Sequence, residues 1–359
     1  MGDALHRLRR TAKETLVRSI GRLAGSKSLI PIEDVDYSNV KRVLLIRPNF
    51  RMGNLLITTS ALPTLRANFP EATLEMLCPA TFSGLLRHHP DLDRVHTFTR
   101  MDLFLPWRLW GLRRRLRREG YDLVIDGTVT GSATLLVLLS GGRVRLGAPP
   151  RARRFAYTSV VPQPPRGVWR VEAIRLCLES MGLKVPERAA MKIGLSDEER
   201  EAALRSWGEF GFTAETEVTG IFIGARGDKV WPLERWAAVI NALWKEKKGT
   251  EGLVVFHGDE ERGKIGTLRS QIPTEVPVSC TPSVRDFAAR VSLCRQFVTC
   301  DTGPMHLAAA LGVPVVSLFF RKSWRRFAPQ GPHDVVVHDA AMPTPEKVID
   351  AVRRQREAL

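Results

Sequence analysis

Short apolar segments alternate with helical segments along most of this chain, and this alternation restricts the fold more than any other feature. In the first half, the predicted strands are 43–46, 73–77, 92–98 and 123–125. The predicted helices there are 55–69, ending before Pro70, then 109–119, 134–139 and 168–181. Buried strands joined by helices form parallel sheets covered on both faces. The pattern therefore predicts an α/β fold.

The second half of the chain repeats this alternation. Its predicted strands are 220–223, 253–256, 297–299 and 313–319, and its predicted helices are 233–244, 284–293, 304–311 and 345–358, with a further helix starting at Ser196. Residues 183–193 carry Pro186 and show no clear period, which predicts a domain boundary. A length of 359 residues suits two domains. The expected divisions are a basic N-terminal segment (1–39), two α/β domains (40–190 and 191–345) and a C-terminal helix (345–359).

Open parallel sheets bind ligands beyond the carboxyl ends of their strands, so the loops that follow the strands are where chemistry is expected. No G-x-G-x-x-G sequence follows the first strand, which disfavours a dinucleotide-dependent dehydrogenase. Two such domains facing each other would form a cleft between the two sets of loops.

The chain is strongly basic, with 54 Lys and Arg against 38 Asp and Glu and a net charge of +16. This charge suits an anionic membrane, a phosphorylated substrate or nucleic acid. Nucleic acid is disfavoured because no recognition motif accompanies the basic runs. Residues 4–23 place Leu, Ile and Ala at helical spacing between Arg and Lys, which predicts a basic amphipathic helix. Such a helix could lie on an anionic leaflet or pack on its own domain.

The five cysteines form no C-x-x-C pair, so neither a disulfide framework nor a zinc site is expected. The apolar runs are too short to span a membrane, and no apolar segment of a secretory signal follows the basic N-terminus. These features favour a cytoplasmic protein with reduced thiols.

The most informative loop follows the strand 297–299. Asp301, Thr302 and Gly303 lead directly into a helix that has Pro304 at its start. Free backbone N–H groups and the positive end of the helix dipole make such a position suitable for phosphate. Gly303 allows a diphosphate to approach the backbone, and His306 adds a donor one turn later. The alternative is an ordinary helix start with a buried histidine.

This segment resembles glycosyltransferase family 9, the ADP-heptose:lipopolysaccharide heptosyltransferases. The family motif D-[ST]-G-P-M-H-[LI]-A-A-A-L-G-x-P is matched throughout residues 301–314. Lys229–Trp236 is similar to the family's K-x-W-P-x-x-x-W loop, and Gly258–Glu261 to its G-x-x-E segment. Residues 41–65 are similar to its opening strand, turn and helix, so the resemblance covers about residues 40–350.

The resemblance implies a GT-B fold, with two Rossmann-like domains and an active site between them. The N-terminal domain would hold the acceptor and the C-terminal domain the nucleotide sugar. The residues implied at the ADP diphosphate and neighbouring donor atoms are Thr302, Gly303, Pro304, Met305 and His306. Asp301 precedes them and would either touch the donor sugar or orient the loop. Lys229 would pair with a phosphate, and Glu261 would accept hydrogen bonds from ribose hydroxyls.

The implied activity is inverting transfer of a heptose or related sugar from an ADP-sugar to a lipopolysaccharide core or similar anionic glycolipid. Helix N-termini and Lys hold the diphosphate in GT-B enzymes of this kind, so no metal or other cofactor is expected. The resemblance also implies action at the inner face of the inner membrane, where the enzyme could be peripheral.

The chain departs from the family at the position of the catalytic base. The family has Gly-Asp after its first strand, whereas this chain has Gly53 and Asn54, and an amide cannot accept the acceptor's proton. Three explanations are open. Another group could act as base, with Asp126 the first candidate, then His306 and Asp301. The reaction could need little help from a base, or the protein could bind a sugar nucleotide or glycan without turnover.

A second departure follows the last strand of the motif region. The family usually has Phe-Gly-x-[ST] there, whereas this chain continues Phe319-Phe-Arg-Lys-Ser-Trp-Arg-Arg326. The added cations would suit a more acidic donor or acceptor, so the identity of the donor sugar stays open.

Overall fold

The computed structural model describes residues 28–128, 130–281 and 283–359. The amphipathic helix predicted over residues 4–23 lies outside these residues. The described chain divides into two compact units. The N-terminal unit runs to Arg166 and includes Val171–Ala190, and the C-terminal unit holds Gly167–Arg170 and Met191–Leu359.

The N-terminal unit is built on a six-stranded parallel sheet. Its strands are β1 (Arg42–Ile46), β2 (Thr73–Pro79), β3 (Arg94–Phe98), β4 (Leu123–Asp126), β5 (Val144–Gly147) and β6 (Ser159–Val160). Their order in the sheet is β3-β2-β1-β4-β5-β6. β1 pairs with β2 on one side and with β4 on the other, and Ile46 lies opposite Asp126. This is the strand order of a Rossmann-type sheet.

The α-helices of this unit cover the sheet. They are α1 (Met52–Thr59), α2 (Leu62–Asn68), α3 (Pro106–Arg118), α4 (Gly131–Ser140) and α5 (Arg170–Ser180). Short 3-10 turns cover Ile32–Asp34, Ala80–Leu86, Met101–Leu103 and Arg151–Ala156.

The prediction of a single helix over residues 55–69 is wrong, because α1 and α2 are separate helices. Pro63 lies in the first turn of α2 and has no N–H to continue a helix from α1. The hydroxyls of Thr59 and Ser60 bond to the Leu56 and Ile57 carbonyls at 2.6 and 2.7 Å, which satisfies part of the end of α1.

The C-terminal unit has a second six-stranded parallel sheet of the same connectivity. Its strands are β7 (Glu217–Phe222), β8 (Glu251–Phe256), β9 (Val278–Ser279), β10 (Gln296–Cys300), β11 (Val315–Phe319) and β12 (Val335–His338). Their order is β12-β11-β10-β7-β8-β9. Numbered within its own unit, this sheet repeats the strand order of the first. The alternation is visible in the sequence but this repeat is not, because the two halves share topology and not sequence.

The α-helices of the C-terminal unit are α6 (Asp197–Gly208), α7 (Leu233–Glu246), α8 (Ile265–Arg269), α9 (Val284–Val291), α10 (Gly303–Ala310), α11 (Trp324–Phe327) and α12 (Pro345–Glu357). Ser196 caps α6 in a reciprocal capping box with Glu199. Ser283 caps α9 through a hydrogen bond from the Asp286 N–H to its hydroxyl. Two 3-10 turns cover Gly227–Lys229 and Asp259–Lys264.

Each unit has its own hydrophobic core. Along β1, Val43 and Leu45 join the cluster on one face of the first sheet, whereas Leu44 and Ile46 join the cluster on the other. β1 therefore reads as a continuous apolar run because both of its faces are covered. The cluster of the second unit packs α7 and α12 on β7, β8, β10 and β11. None of the described helices is long and apolar enough to cross a membrane.

Candidate functional site

The order of the strands reverses direction between β1 and β4 in the first sheet and between β10 and β7 in the second. At such a point the loops after the two neighbouring strands diverge to opposite faces and leave a crevice at the carboxyl edge. Most of the residues predicted from the sequence fall in the loops and first helical turns beside these two crevices, whereas Glu261 follows β8. Gly53, Asn54 and Asp126 lie beside the first, and Lys229 and residues 301–306 beside the second.

An ion pair bridges the crevice of the C-terminal unit. Lys229 follows β7 and Asp301 follows β10, and Lys229 Nζ lies 2.7 Å from Asp301 Oδ2. The carboxylate is buried, whereas the lysine side chain is 42% exposed. Asp301 also accepts a hydrogen bond from the Ser323 hydroxyl at 3.4 Å. Lys229 is therefore held at the crevice with its ammonium still open to solvent and to an incoming anion.

The N-terminus of α10 points into the same crevice region. Thr302 is the N-cap residue but makes no capping hydrogen bond, and its hydroxyl lies 3.3 Å from that of Thr299. Gly303 is the first helical residue, so Pro304 stands one place later than predicted. Since Pro304 has no N–H, the N–H groups of Thr302, Gly303 and Met305 are the donors this helix end offers to a ligand.

His306 and Met305 form the buried floor of this helix end, with exposures of 5% and 0%. Burial lowers the pKa of His306 to about 4, although the nearby Asp301 carboxylate acts in the opposite direction. The imidazole is therefore neutral at pH 7. Its Nδ1 atom is buried and has no hydrogen-bond partner among the described residues. An unpaired buried polar atom is costly to the folded state.

Glu261 lies in the loop after β8 and is buried. Its Oε2 accepts a hydrogen bond from the Gly258 N–H at 3.0 Å. A Cβ atom on Gly224, in the loop after β7, would lie 2.8 Å from the same oxygen. Gly224 therefore lets the β7 loop approach the carboxylate, a role that the sequence analysis missed although the Gly directly after a strand was visible there.

Two ion pairs at the outer ends of these loops were also missed. Arg226 pairs with Glu260, which joins the loops after β7 and β8. Arg321 pairs with Asp228, which joins the loops after β11 and β7. These pairs connect segments far apart in the sequence, and no local pattern signals them. Arg321 belongs to the cationic segment that departs from the family sequence, so one of its extra cations already has a protein partner.

In the N-terminal unit, α1 carries Gly53 and Asn54 in its first turn beside the end of β4. The Thr58 hydroxyl bonds to the Asn54 carbonyl at 3.0 Å. The Thr58 methyl would lie 3.2 Å from a Cβ on Gly127, the residue after Asp126. A glycine at 127 thus allows the helix that carries Asn54 to pack closely on the loop that follows Asp126.

Asp126 is a buried carboxyl group at the carboxyl end of β4. It accepts hydrogen bonds from the Tyr157 hydroxyl at 2.5 Å and from the Thr128 N–H at 2.7 Å. Burial raises the pKa of Asp126 to about 7, although these hydrogen bonds and the nearby Arg47 act to lower it. A carboxyl group with such a pKa exchanges protons readily near neutrality. The Arg- and Pro-rich segment that supplies Tyr157 gave no indication of this contact.

Among the residues described, no three His, Cys, Asp or Glu side chains are grouped so that they could hold a metal ion. In the C-terminal unit, the groups available to a ligand are the N-terminus of α10, Lys229, Glu261 and the His306 imidazole. Together they suit a diphosphate attached to a polyhydroxylated group.

Comparison with known proteins gives the family of this chain. A sequence model of glycosyltransferase family 9 (heptosyltransferase) matches residues 109–354. A lipopolysaccharide heptosyltransferase 3 of Escherichia coli is 24% identical over 289 residues, which cover 74% of this chain and 80% of that protein.

Two solved structures share the fold. A family 9 glycosyl transferase from Veillonella parvula superposes with a TM-score of 0.83 at 19% identity, covering 92% of this chain and 100% of that one. The E. coli heptosyltransferase WaaC with ADP superposes with a TM-score of 0.67 at 22% identity, covering 88% of this chain and 98% of that one. Both Rossmann-like sheets thus belong to the GT-B architecture. Since the family match spans more than half of the chain, this protein belongs to glycosyltransferase family 9 and is a glycosyltransferase.

Proposed function

We propose that this protein transfers a heptose from ADP-heptose, with inversion, to a lipopolysaccharide core or similar anionic glycolipid at the inner face of the inner membrane. The observation that carries the proposal is the Lys229–Asp301 pair beside the uncapped N-terminus of α10. A related structure of the same fold contains ADP, which favours the adenine nucleotide over others.

The C-terminal unit would bind the donor and stabilise its leaving group. As the bond between the sugar and ADP breaks, negative charge develops on the diphosphate. The N–H groups at the start of α10 and the Lys229 ammonium would stabilise that charge, and Asp301 would hold Lys229 in position. Glu261 would accept hydrogen bonds from ribose hydroxyls, and the His306 imidazole would contact the donor.

The N-terminal unit would bind the acceptor and remove its proton. Inversion requires a single displacement, in which the acceptor hydroxyl attacks the anomeric carbon on the face opposite the leaving ADP. We assign the base to Asp126, because Asn54 cannot accept a proton and the pKa of Asp126 is raised to about 7. The Tyr157 hydroxyl and Thr128 N–H would fix the orientation of the carboxylate.

Calorimetric titration with ADP, UDP, GDP and CMP tests the donor assignment. ADP is expected to bind selectively, and Lys229→Ala and His306→Ala are expected to weaken it at least about tenfold, since each removes a polar contact to the ligand. Lys248→Ala is the matched control, because Lys248 is an exposed lysine of the same unit. Preference for UDP or GDP would exclude ADP-heptose as donor, and absence of binding to all four would contradict the donor site.

Turnover with ADP-heptose and a panel of lipopolysaccharide-core acceptors tests the reaction. Asp126→Asn is expected to lower kcat by about 10²–10⁴-fold, the usual contribution of a general base. Glu71→Gln, which alters an exposed acid of the same unit, serves as the control. NMR of the product's anomeric configuration would establish inversion or retention.

Asn54 favours one alternative, a relative that binds a sugar nucleotide or glycan without turnover. In that case ADP-heptose would bind and yield no product with any acceptor. Asn54→Asp would then be the informative variant, because a carboxylate at that position restores the family's base. Turnover by the unmodified protein excludes the alternative.

A further inference from the structure

Helix α3 carries an exposed face that no part of the proposed reaction uses. Trp107 and Trp110 are 68% and 61% exposed, and the preceding segment exposes Met101 and Phe104 at 49% and 47%. Large apolar side chains are rarely so exposed in a soluble domain unless the surface has a partner. Half of the large apolar side chains that the described chain exposes lie within residues 101–110.

The helical repeat separates this face from the core. Leu112 and Leu116 are buried in the N-terminal unit. At 100° per residue, Trp107, Trp110 and Arg114 project from the opposite side. The side chains that form this Trp/Arg face are Trp107, Trp110, Arg113, Arg114, Arg117 and Arg118. The aromatic residues occupy its N-terminal half and the cations its C-terminal half.

The cations of this face are available to an external anion. The acids near α3 are already paired elsewhere, since Asp102 lies 3.7 Å from Arg108, and Glu119 pairs with Arg42. A groove of about 430 Å³ is lined by Trp110 and the four arginines of the face. The Arg113 guanidinium lies 4.9 Å from the centre of the Trp110 ring. The groove thus combines guanidinium donors for phosphate with an aromatic wall.

We propose that the Trp/Arg face of α3 docks on the surface of an anionic phospholipid bilayer. Tryptophan prefers the boundary between headgroups and acyl chains, and clustered arginines are attracted to anionic leaflets. The helix lies flat on its unit through Leu112 and Leu116, so its outer face can meet the bilayer in the interface plane. A protein partner would need acidic groups and an apolar pocket together, whereas an anionic bilayer offers both everywhere along its surface.

Cosedimentation of the full-length protein with vesicles tests this proposal. Binding is expected to vesicles of phosphatidylcholine with phosphatidylglycerol and to be much weaker with phosphatidylcholine alone. Two variants are each expected to weaken partitioning at least about tenfold. One combines Trp107→Ala with Trp110→Ala, and the other has Gln at all four arginines of the face. The matched control has Gln at four exposed cations of the C-terminal unit, namely Arg200, Arg205, Lys248 and Arg262. This variant is expected to change partitioning less than about twofold. Equal partitioning of all variants would overturn the proposal.

Quenching of tryptophan fluorescence by brominated phosphatidylcholine gives a second readout that does not depend on loss of binding. Trp107→Phe with Trp110→Phe keeps an apolar surface but removes the two reporters, leaving six of the eight tryptophans. Quenching is expected in the parent and to be largely lost in this variant. Quenching unchanged in the variant would show that another segment inserts, which overturns the proposal.

Sedimentation equilibrium without vesicles tests whether a second copy of the chain, and not a bilayer, binds the Trp/Arg face. A dimer that Trp107→Ala with Trp110→Ala abolishes would overturn the bilayer assignment, whereas a monomer at the vesicle-assay concentration supports it. None of these assays contains sugar nucleotide or acceptor, so their outcome is independent of the proposed heptosyl transfer.

Discussion

Asp126 shows how one residue type acquires different chemistry from its surroundings. An exposed aspartate is ionised at neutral pH, whereas burial at the end of β4 raises the pKa of Asp126 to about 7. The Tyr157 hydroxyl and Thr128 N–H bond to the carboxylate and partly offset the cost of burying it. The result is a carboxyl group that is neither fully protonated nor fully ionised near neutrality, as general-base catalysis requires.

The pH dependence of activity follows from this pKa. If Asp126 is the base, kcat/KM of the parent rises about tenfold per pH unit below pH 7 and levels off above it, because only the carboxylate accepts the proton. Initial rates between pH 5 and 9 measure this, and the residual activity of Asp126→Asn should lack that limb. If the rise in rate with pH persists in Asp126→Asn, that rise belongs to another titrating group.

The same pKa predicts a pH-dependent cost in stability. The unfolded chain loses the Asp126 proton near the ordinary pKa of 3.8, whereas the folded protein keeps it until about pH 7. Folding stability therefore falls as pH rises from about 4 to 7, by up to about 1.4 kcal/mol per pH unit. Asp126→Asn removes this loss of stability. Urea unfolding should therefore show the stability of the variant, relative to that of the parent, increasing from pH 4 to pH 7. A difference that stays constant with pH would contradict the raised pKa.

At the level of elements, the crevices depend on strands and loops that glycine allows to approach closely. Gly147 on β5 is one such position. A Cβ atom there would lie 2.7 Å from Tyr157 Cε1 and 3.1 Å from Asp126 Cβ. The β5 backbone therefore supports the Tyr157–Asp126 hydrogen bond only because residue 147 has no side chain.

Gly147→Ala is expected to displace Tyr157 and to destabilise the N-terminal unit by about 1–3 kcal/mol, the usual cost of overpacking a core. It should also lower activity by removing the hydrogen bond that orients Asp126. Thermal unfolding and initial rates measure the two effects, with Gly111→Ala as control because a Cβ on Gly111 meets nothing within 4 Å. Wild-type rates in Gly147→Ala would show that the contact with Tyr157 has no role in catalysis.

At the level of the whole molecule, each unit has a separate core and a separate set of stabilising charges. Glu75 on β2 is a central charge of the N-terminal unit, with a fully buried side chain. It accepts hydrogen bonds from Arg42 at 2.5 Å and from Tyr121 at 2.8 Å, and it lies 2.5 Å from His96 Nε2. Burial alone would raise the pKa of Glu75, but these partners outweigh it and lower the pKa to about 2.

Glu75→Gln is expected to destabilise the N-terminal unit by about 3 kcal/mol, because it leaves the partly buried Arg42 and the buried Tyr121 without the carboxylate to which they bond. The residues of the proposed donor site lie in the other unit, so ADP affinity should be unchanged. Calorimetric unfolding and ADP titration of the same variant measure both. The stability gap should persist down to about pH 4.5 and close as the pH falls toward 2, where Glu75 of the folded parent takes up its proton. A loss of ADP affinity that accompanies the loss of stability would contradict the independence of the two cores.

The alternation of strands and helices, the N-caps at Ser196 and Ser283, and the fold class were all predictable from the sequence, because each depends on local spacing. The strands β5, β6, β9 and β12 were missed. Two of them are two residues long, too short to show a period, and β5 carries Arg145 among apolar residues. Their pairing is decided by neighbouring strands and not by their own sequence.

The sequence by itself determined the α/β class, the family and the start of a helix directly after a strand in the Asp301–His306 segment, since these depend on residues that are neighbours in the chain. Tertiary structure decided what those residues contact. It joined Lys229 to Asp301 across 72 positions, placed Tyr157 on Asp126, and turned two tryptophans of α3 outward beside four arginines. Contacts between distant segments depend on packing and desolvation, and these exist only once the sheets have formed.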